Sequence, residues 1–467
     1  MIRHRLSNGS WLPPCWRGGF VPSPVRMESK ETTGLESRLT RQIQQTLFGE
    51  EAPTVTDEQS STFASNMALP VHRWFRYSAG FSAAWVESVL EDERRHGALT
   101  VFDPFAGSAT TLIAAECVGV ESTGIDSHPF VARIAKAKLL WRTDPIDYIV
   151  KVTALKKAAS EVVPDLKDYP PLIRSCYDDT TLSTLDQYRR AYERIQDGSA
   201  ASELAWLTLV AILRKVSRAG TAQWQYVLPK KQKRSPLPAE QALDECCRMI
   251  AEDMRRGHAL TGFRARFIQA DARTCEGVPA AYANLVITSP PYANNYDYAD
   301  ATRLEMSFMG EIKGWGCLQE KVRRHLIRSC SQHVPEKSVN LQTVVSCPEL
   351  EPIRSEMIEV CRKLSDIRQT KGGKKTYHLM VACYFADLAK VWHALRRVCQ
   401  SPSKVCFVIG DSAPYGVYVP VVPWLGTLAM AAGFRSYTFD KTRDRNIKWK
   451  NRKHRVPLQE GRLWVQG

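Results

Sequence analysis

The 467-residue chain has no apolar run approaching the length of a membrane span, and its N-terminus lacks the continuous apolar core of a secretion signal. These absences set aside membrane insertion and export and lead us to expect a cytoplasmic protein. Its thirteen cysteines, an odd number, include no Cys-x-x-Cys pair matched by a second Cys or His pair. The nearest approach, Cys246-Cys247, is not metal-ligand spacing, so no zinc site or disulfide framework is expected and the thiols read as reduced. There is no internal repeat. Acidic residues are also in short supply: 49 Asp and Glu against 64 Lys and Arg leave a net charge of +15, which suits a polyanionic partner.

Glycine is scarce even where a ligand turn needs it. Residues 103–111 read Asp-Pro-Phe-Ala-Gly-Ser-Ala-Thr-Thr between an apolar run (Leu99, Val101, Phe102) and a helical pattern (Leu112, Ala114, Ala115, Val118). Such a strand-to-helix turn is where a nucleotide-like ligand docks in a doubly wound sheet, and the small residues Ala106, Gly107 and Ser108 let the backbone approach it. Asp126 ends a second candidate strand, where a carboxylate can accept ribose hydroxyls; with Ser127, His128 and Pro129 after it, it also reads as the start of a helix. Asp271 closes a third strand, Arg266–Ala270, and is placed to meet an adenine amino group or to be a solvated turn residue. The order of these three acids along one α/β pattern favours a cofactor site.

The second motif is more specific. Leu285-Val286-Ile287 is a short buried-strand run stopped by Thr288-Ser289-Pro290-Pro291-Tyr292. Two prolines fix φ and remove two amide donors, leaving the Ser289 or Pro290 carbonyl as a rigid acceptor. The exocyclic amine of cytosine or adenine is a poor nucleophile until acceptors hold its N–H groups. Ser289 Oγ and a neighbouring carbonyl are suited to that task, with Tyr292 stacked on the base. Positioning of this kind supplies on the order of 7–11 kcal/mol of barrier reduction. It requires no covalent intermediate and no catalytic cysteine.

These residues resemble the S-adenosylmethionine-dependent DNA amino-methyltransferases, and more narrowly the cytosine-N4 type, whose catalytic motif is Ser-Pro-Pro followed by an aromatic. The resemblance implies a Rossmann-like class I methyltransferase fold, α/β with a doubly wound, mostly parallel sheet and helical insertions. It implies S-adenosylmethionine as cofactor, bound by Phe81, Ser82, Asp103, Pro104, Phe105, Ala106, Gly107, Ser108, Thr110, Thr111, Asp126, Ser127, Asp271 and Ala272. Ser289, Pro290, Pro291 and Tyr292 would be the catalytic set, and Pro70, His72, Arg73, Tyr77 and Gly80 would lie with Phe81 and Ser82 beside the methionine end. Family cofactor loops usually carry Gly-Ser-Gly-Thr; here Gly107-Ser108-Ala109-Thr110 stands instead, costly if position 109 needs φ > 0 and harmless if it is already helical. The partners implied are DNA with a flipped-out base and a cognate restriction endonuclease, without membrane or metal. An adenine-N6 or RNA-base methyltransferase and a nucleic-acid-binding protein on a non-catalytic methyltransferase scaffold are the alternative readings.

Three basic stretches are candidate nucleic-acid contacts: Lys230, Lys231, Lys233 and Arg234; Lys371, Lys374 and Lys375; and 441–455, with Lys448, Lys450, Arg452 and Lys453 around Trp449. We expect a poorly ordered extension with a short helix (Leu35 to Leu47) over 1–61, and a discontinuous catalytic domain over 62–140 plus 262–467. A helical insertion, candidate for target recognition, is expected over 141–261, its clearest helix from Leu204 to Arg218, and a basic insertion over 308–376.

Overall fold

The computed structural model describes residues 64–467 except 78–79, 223–224, 234, 295, 373–374 and 446–455. The expectations for 1–61, including the helix from Leu35 to Leu47, lie outside the described residues. The strands are β1 Thr100–Asp103, β2 Glu121–Asp126, β3 Ala219–Thr221, β4 Val227–Gln232, β5 Arg266–Gln269, β6 Ala283–Thr288, β7 Cys399–Gly410, β8 Ser436–Arg445 and β9 Leu458–Gln466. Seven of them form one sheet in the order β5-β2-β1-β6-β7-β9-β8, and β3 and β4 pair as a separate antiparallel hairpin. The five strands from β5 to β7 run parallel; β9 is antiparallel to both of its neighbours. The fold is therefore α/β with a largely parallel sheet, as expected.

The chain builds this sheet outward from β1 to β5, then returns to β6 on the other side of β1. Ligands of open α/β sheets bind beyond the carboxyl ends of the strands at such a reversal. Asp103, Asp126 and Thr288 are the last residues of β1, β2 and β6, so both motifs leave the sheet at this edge.

Side chains alternate across the strands with period two. Phe102, Val286, Val405 and Phe407 enter one core, while Val101, Leu285, Ile287, Cys406 and Val408 enter another on the opposite face. Two covered faces explain why β6 reads as an unbroken apolar run. The helices of eight residues or more are α1 Ala83–Arg95, α2 Thr110–Val118, α3 Pro129–Lys138, α4 Pro145–Ser160, α5 Asp179–Ile195, α6 Ala200–Val216, α7 Ala239–His258, α8 Arg354–Thr370, α9 Tyr377–Val398 and α10 Val421–Ala431. On α9, Trp392 stacks on Phe407 of β7 with ring centroids 4.3 Å apart. Each large side chain so buried contributes roughly 1.5–3 kcal/mol.

Helices α4 to α7 occupy the stretch expected to be helical. The helix read from Leu204 to Arg218 is α6, and it begins earlier because Ser199 caps it at Ser202 N. Its apolar stripe joins Phe130, Val131 and Ile134 of α3 in one core, so this helical stretch is packed onto the sheet's own helices. A Cβ on Gly257 of α7 would meet the Trp141 ring at 2.2 Å, so glycine is what lets that tryptophan lie against the helix. The stretch 308–376, expected to be a basic insertion, also contributes side chains to the interior. Leu350, Ile353, Met357, Cys361 and Leu364 are buried in the same core as α9.

Candidate active site

Asp103 joins the two motifs. Its carboxylate accepts hydrogen bonds from Phe105 N (3.0 Å), Thr111 Oγ1 (2.6 Å) and Thr288 Oγ1 (2.6 Å). The end of β1, the first turn of α2 and the residue before Ser289 are thus fixed by one buried group. Burial pushes the Asp103 carboxyl up to about 6 despite these three donors. The side chain lies beneath the turn as a brace.

Asp126 holds the other side of the turn. It accepts from Gly107 N at 3.0 Å and from His128 N at 2.8 Å, so each carboxylate oxygen carries one backbone donor and keeps capacity for another. Burial raises its carboxyl to about 6 as well. His128, not Asp126, caps α3, with Pro129 in the first turn. The Tyr77 ring closes over Gly107, where a Cβ would stand 3.2 Å from it. Burial, and after it the Asp126 charge, raises the Tyr77 phenol well above its usual range, and burial raises the Tyr298 phenol as well.

Ala109 decides the open question at the turn. It sits at φ 70, ψ 33, the left-handed region, and its side chain is buried. A residue with a Cβ therefore holds a backbone conformation that ordinarily favours glycine.

The third acid is engaged. Asp271 accepts Arg273 N at 2.8 Å and a two-pronged pair from the Arg273 guanidinium at 2.6 to 3.0 Å. Arg273 also reaches Asp387, which binds Arg328. Ala272 is buried behind it, and half-buried Phe105 packs against the same core. Phe81 and Ser82 are both buried. Phe81 is in the core against α1, and Ser82 is the fully buried cap of that helix, accepting from Trp85 N. Pro104, Ala106, Thr110 and Thr111 are buried, and Gly107, Ser108 and Ser127 line the partly exposed side.

In the second motif, Ser289 Oγ donates to the Val408 carbonyl of β7 at 3.2 Å. A hydroxyl whose proton is directed into the sheet presents its lone pairs outward. Tyr292 lies beside it, its phenol raised by burial, and Arg445 Cζ stands 5.4 Å from the ring centroid. Pro290 is buried and Pro291 half-buried. Ser412 Oγ binds the Ala293 carbonyl, and the Tyr298 hydroxyl faces the Tyr292 backbone amide.

The segment after this loop carries a group that sequence spacing did not show. Asp297, Cys330 and His333 bring a carboxylate, a thiol and an imidazole within 4.8 Å of one another, a donor set with metal-binding chemistry. Here Arg323 takes the Asp297 carboxylate at 2.6 and 3.1 Å, and His333 Nε2 lies 3.1 Å from its other oxygen. Burial pushes Asp297 up, but His333 and Arg323 outweigh it and hold the carboxyl down at about 2. Burial raises the Cys330 thiol to about 12, keeping it protonated. The group is an ion-pair knot tying 297 to 323–333.

The basic stretches fare unevenly. Lys230, Lys231 and Lys371 are exposed, and Lys375 is half-buried. Lys233 turns inward, its ammonium donating to the Arg214 carbonyl, with its pKa lowered by burial. Arg234, Lys374, Lys448, Lys450, Arg452 and Lys453 lie outside the described residues. In the described part of the third stretch, Lys441 pairs with Asp444, and Arg443 and Arg445 with Glu460. Among the described residues every cysteine is a free thiol, and no helix is long and apolar enough to cross a membrane.

Compared with known proteins, the chain is 24% identical over 454 residues to the type II methyltransferase M.BsoBI of Geobacillus stearothermophilus, covering 85% of this chain and 86% of that one. It is 22% identical over 399 residues to the type II methyltransferases M.AvaI of a Nostoc species and of Anabaena variabilis, covering 80% of this chain and 81% of theirs. No protein-family model and no solved structure matches it.

Proposed function

We propose that the chain is an S-adenosylmethionine-dependent DNA methyltransferase of the class I fold, acting on the N4 amino group of cytosine in a base flipped out of the duplex. The observation that carries this reading is the junction at the switch point. Asp103 binds Thr288, the neighbour of Ser289, while the turn that Asp103 starts binds Asp126 through Gly107. A nucleoside-holding acid and an amine-holding hydroxyl therefore share one sheet edge. Distant similarity to three type II methyltransferases over at least 80% of the chain supports the same reading and adds restriction-modification as its setting, with an endonuclease of matching specificity as partner.

The residues fit the cofactor. The spare acceptor capacity of Asp126 suits two ribose hydroxyls, and the glycine under Tyr77 leaves a cradle that a side chain would fill. When bound, S-adenosylmethionine supplies an electrophilic methyl group on sulfur. The protein's own part is positional. Val408 fixes the Ser289 hydroxyl, Ser289 Oγ accepts one amine N–H, a proline-segment carbonyl accepts the other, and Tyr292 stacks on the ring. Flipping costs a few kcal/mol, which stacking and phosphate contacts offset.

Serine at the head of the motif is the basis for cytosine. The test is to incubate the protein with labelled S-adenosylmethionine and unmethylated DNA, then digest to nucleosides. N4-methylcytosine is expected. N6-methyladenine would transfer the same geometry to the other amine, and label on RNA alone, or no cofactor binding by calorimetry, would overturn the reading.

A further inference from the structure

We infer that Gln225 and Tyr226, at the turn of the β3–β4 hairpin, are positioning residues that set the cofactor side of the site against the base side; the inference rests on the function proposed above. Two neighbouring residues of the hairpin hold two different walls. Gln225 Nε2 donates to the Arg76 carbonyl at 2.8 Å, and Arg76 precedes Tyr77, the ring that covers Gly107. Tyr226 Oη accepts the Asp297 backbone N–H at 2.7 Å, in the loop that follows Tyr292.

The base-side grip continues through rings. Tyr226 lies 5.6 Å from Tyr296, and Tyr296 lies 4.5 Å from Tyr298, whose hydroxyl faces the Tyr292 amide. Neither Gln225 nor Tyr226 contacts Ser289 or Asp126 among the bonds described, so their influence passes through other residues.

Gln225 itself is firmly held. Gln225 is almost fully buried and adopts φ 61, a region that bulky side chains rarely enter and that persists only where the surroundings enforce it. Arg214 of α6 enforces it, donating to the Gln225 carbonyl at 2.6 Å and, with another nitrogen, to the Ala301 carbonyl at 2.6 Å. The same guanidinium pairs with buried Glu305. On the far side, the Arg323 and His333 knot fixes the Asp297 carboxylate, so the loop is clamped from both directions. Lys230 and Lys231 are exposed on the same hairpin, four and five residues beyond Tyr226.

The test compares the wild-type protein with Tyr226→Phe, which keeps the ring and loses the hydroxyl acceptor, and Gln225→Ala, which keeps the backbone and loses the Arg76 bond. Single-turnover methyl transfer to long unmethylated phage DNA is measured with cofactor and DNA both saturating. Tyr226→Phe should slow transfer about tenfold while both dissociation constants stay within about twofold, because misplacement costs rate without costing affinity. Hydrogen exchange on the protein alone should show 292–298 losing protection in Tyr226→Phe and 74–77 in Gln225→Ala. Wild-type rates in both variants, unchanged exchange, or a rate loss that tracks lost affinity for cofactor or DNA would overturn the inference. A wild-type protein that leaves the DNA unmethylated sinks the proposed function, and the inference with it, a result distinct from any of these.

Discussion

The turn at 103–110 and the loop at 289–298 meet at one sheet edge but are held in opposite ways. In the turn, the acids are already bonded to the fold: Asp103 by three donors, Asp126 by two backbone amides. In the loop, the fold takes the donor of Ser289 and leaves its acceptor capacity outward. The first is a finished frame whose carboxylates keep spare acceptor capacity. The second is anchored farther along, at Ala293 and Asp297, and leaves the Ser289 oxygen free to accept. Substitutions should therefore separate the two: loop changes should strike turnover, turn changes binding and stability.

The largest effect should come from Ser289→Ala. Loss of one preorganised hydrogen-bonding group at a reacting centre costs roughly 100- to 1000-fold in rate. Single-turnover transfer should fall by that factor with cofactor affinity unchanged by calorimetry, and a parallel loss of affinity would merge the two regions. Tyr292→Ala should cost less, roughly 10- to 100-fold, the worth of one base–aromatic stack. Its loss also leaves Arg445 without its ring, so the DNA dissociation constant should be measured alongside.

The sheet edge was legible because strand ends and motifs are local in sequence. β1, β2, β5 and β6 lie where the apolar runs and terminal acids put them, and the reversal between β1 and β6 follows from their order. What sequence could not show is which donors each acid already has. Arg273, two residues from Asp271, gave no sign that its guanidinium would turn back on that carboxylate. Lys233 read as one more cation in a basic run, because only the packing of the hairpin turns it toward the Arg214 carbonyl. Tyr226 and Asp297 are 71 positions apart and meet only in the fold.

A pH test sharpens the comparison at Asp126. Burial raises its folded-state carboxyl to about 6. A carboxyl raised on folding favours the protonated folded state, so its contribution to stability is fully present below the unfolded value near 4 and is lost as pH rises through 6. Ribose hydroxyls need the ionised form as acceptor, so cofactor affinity should run the other way, steady above pH 6 and falling by up to about tenfold per unit below it. Asp126→Asn should weaken binding about tenfold at neutral pH and flatten this dependence. Titration calorimetry from pH 5 to 8 checks both, and a bend near 6 that survives in Asp126→Asn would place the titrating group elsewhere, with Asp103 the first candidate.

The smallest effect should be Ala109→Gly, because three terms nearly cancel. Relief of the left-handed backbone at φ 70 gains about 1–2 kcal/mol. Removing the buried methyl forfeits about 0.8 kcal/mol. The freer unfolded chain forfeits another 0.5–1 kcal/mol or so. Denaturant unfolding should therefore shift by less than about 0.5 kcal/mol, and cofactor affinity should hold, since the turn already has the backbone a glycine would give it. Ala109→Val separates this account from one in which any change is tolerated: a β-branched residue at positive φ in a fully buried position should destabilise by about 3 kcal/mol or more. If valine is as mild as glycine, the turn is not the rigid frame that its bonded acids describe, and the contrast with the loop at 289–298 fails at its stiffer end.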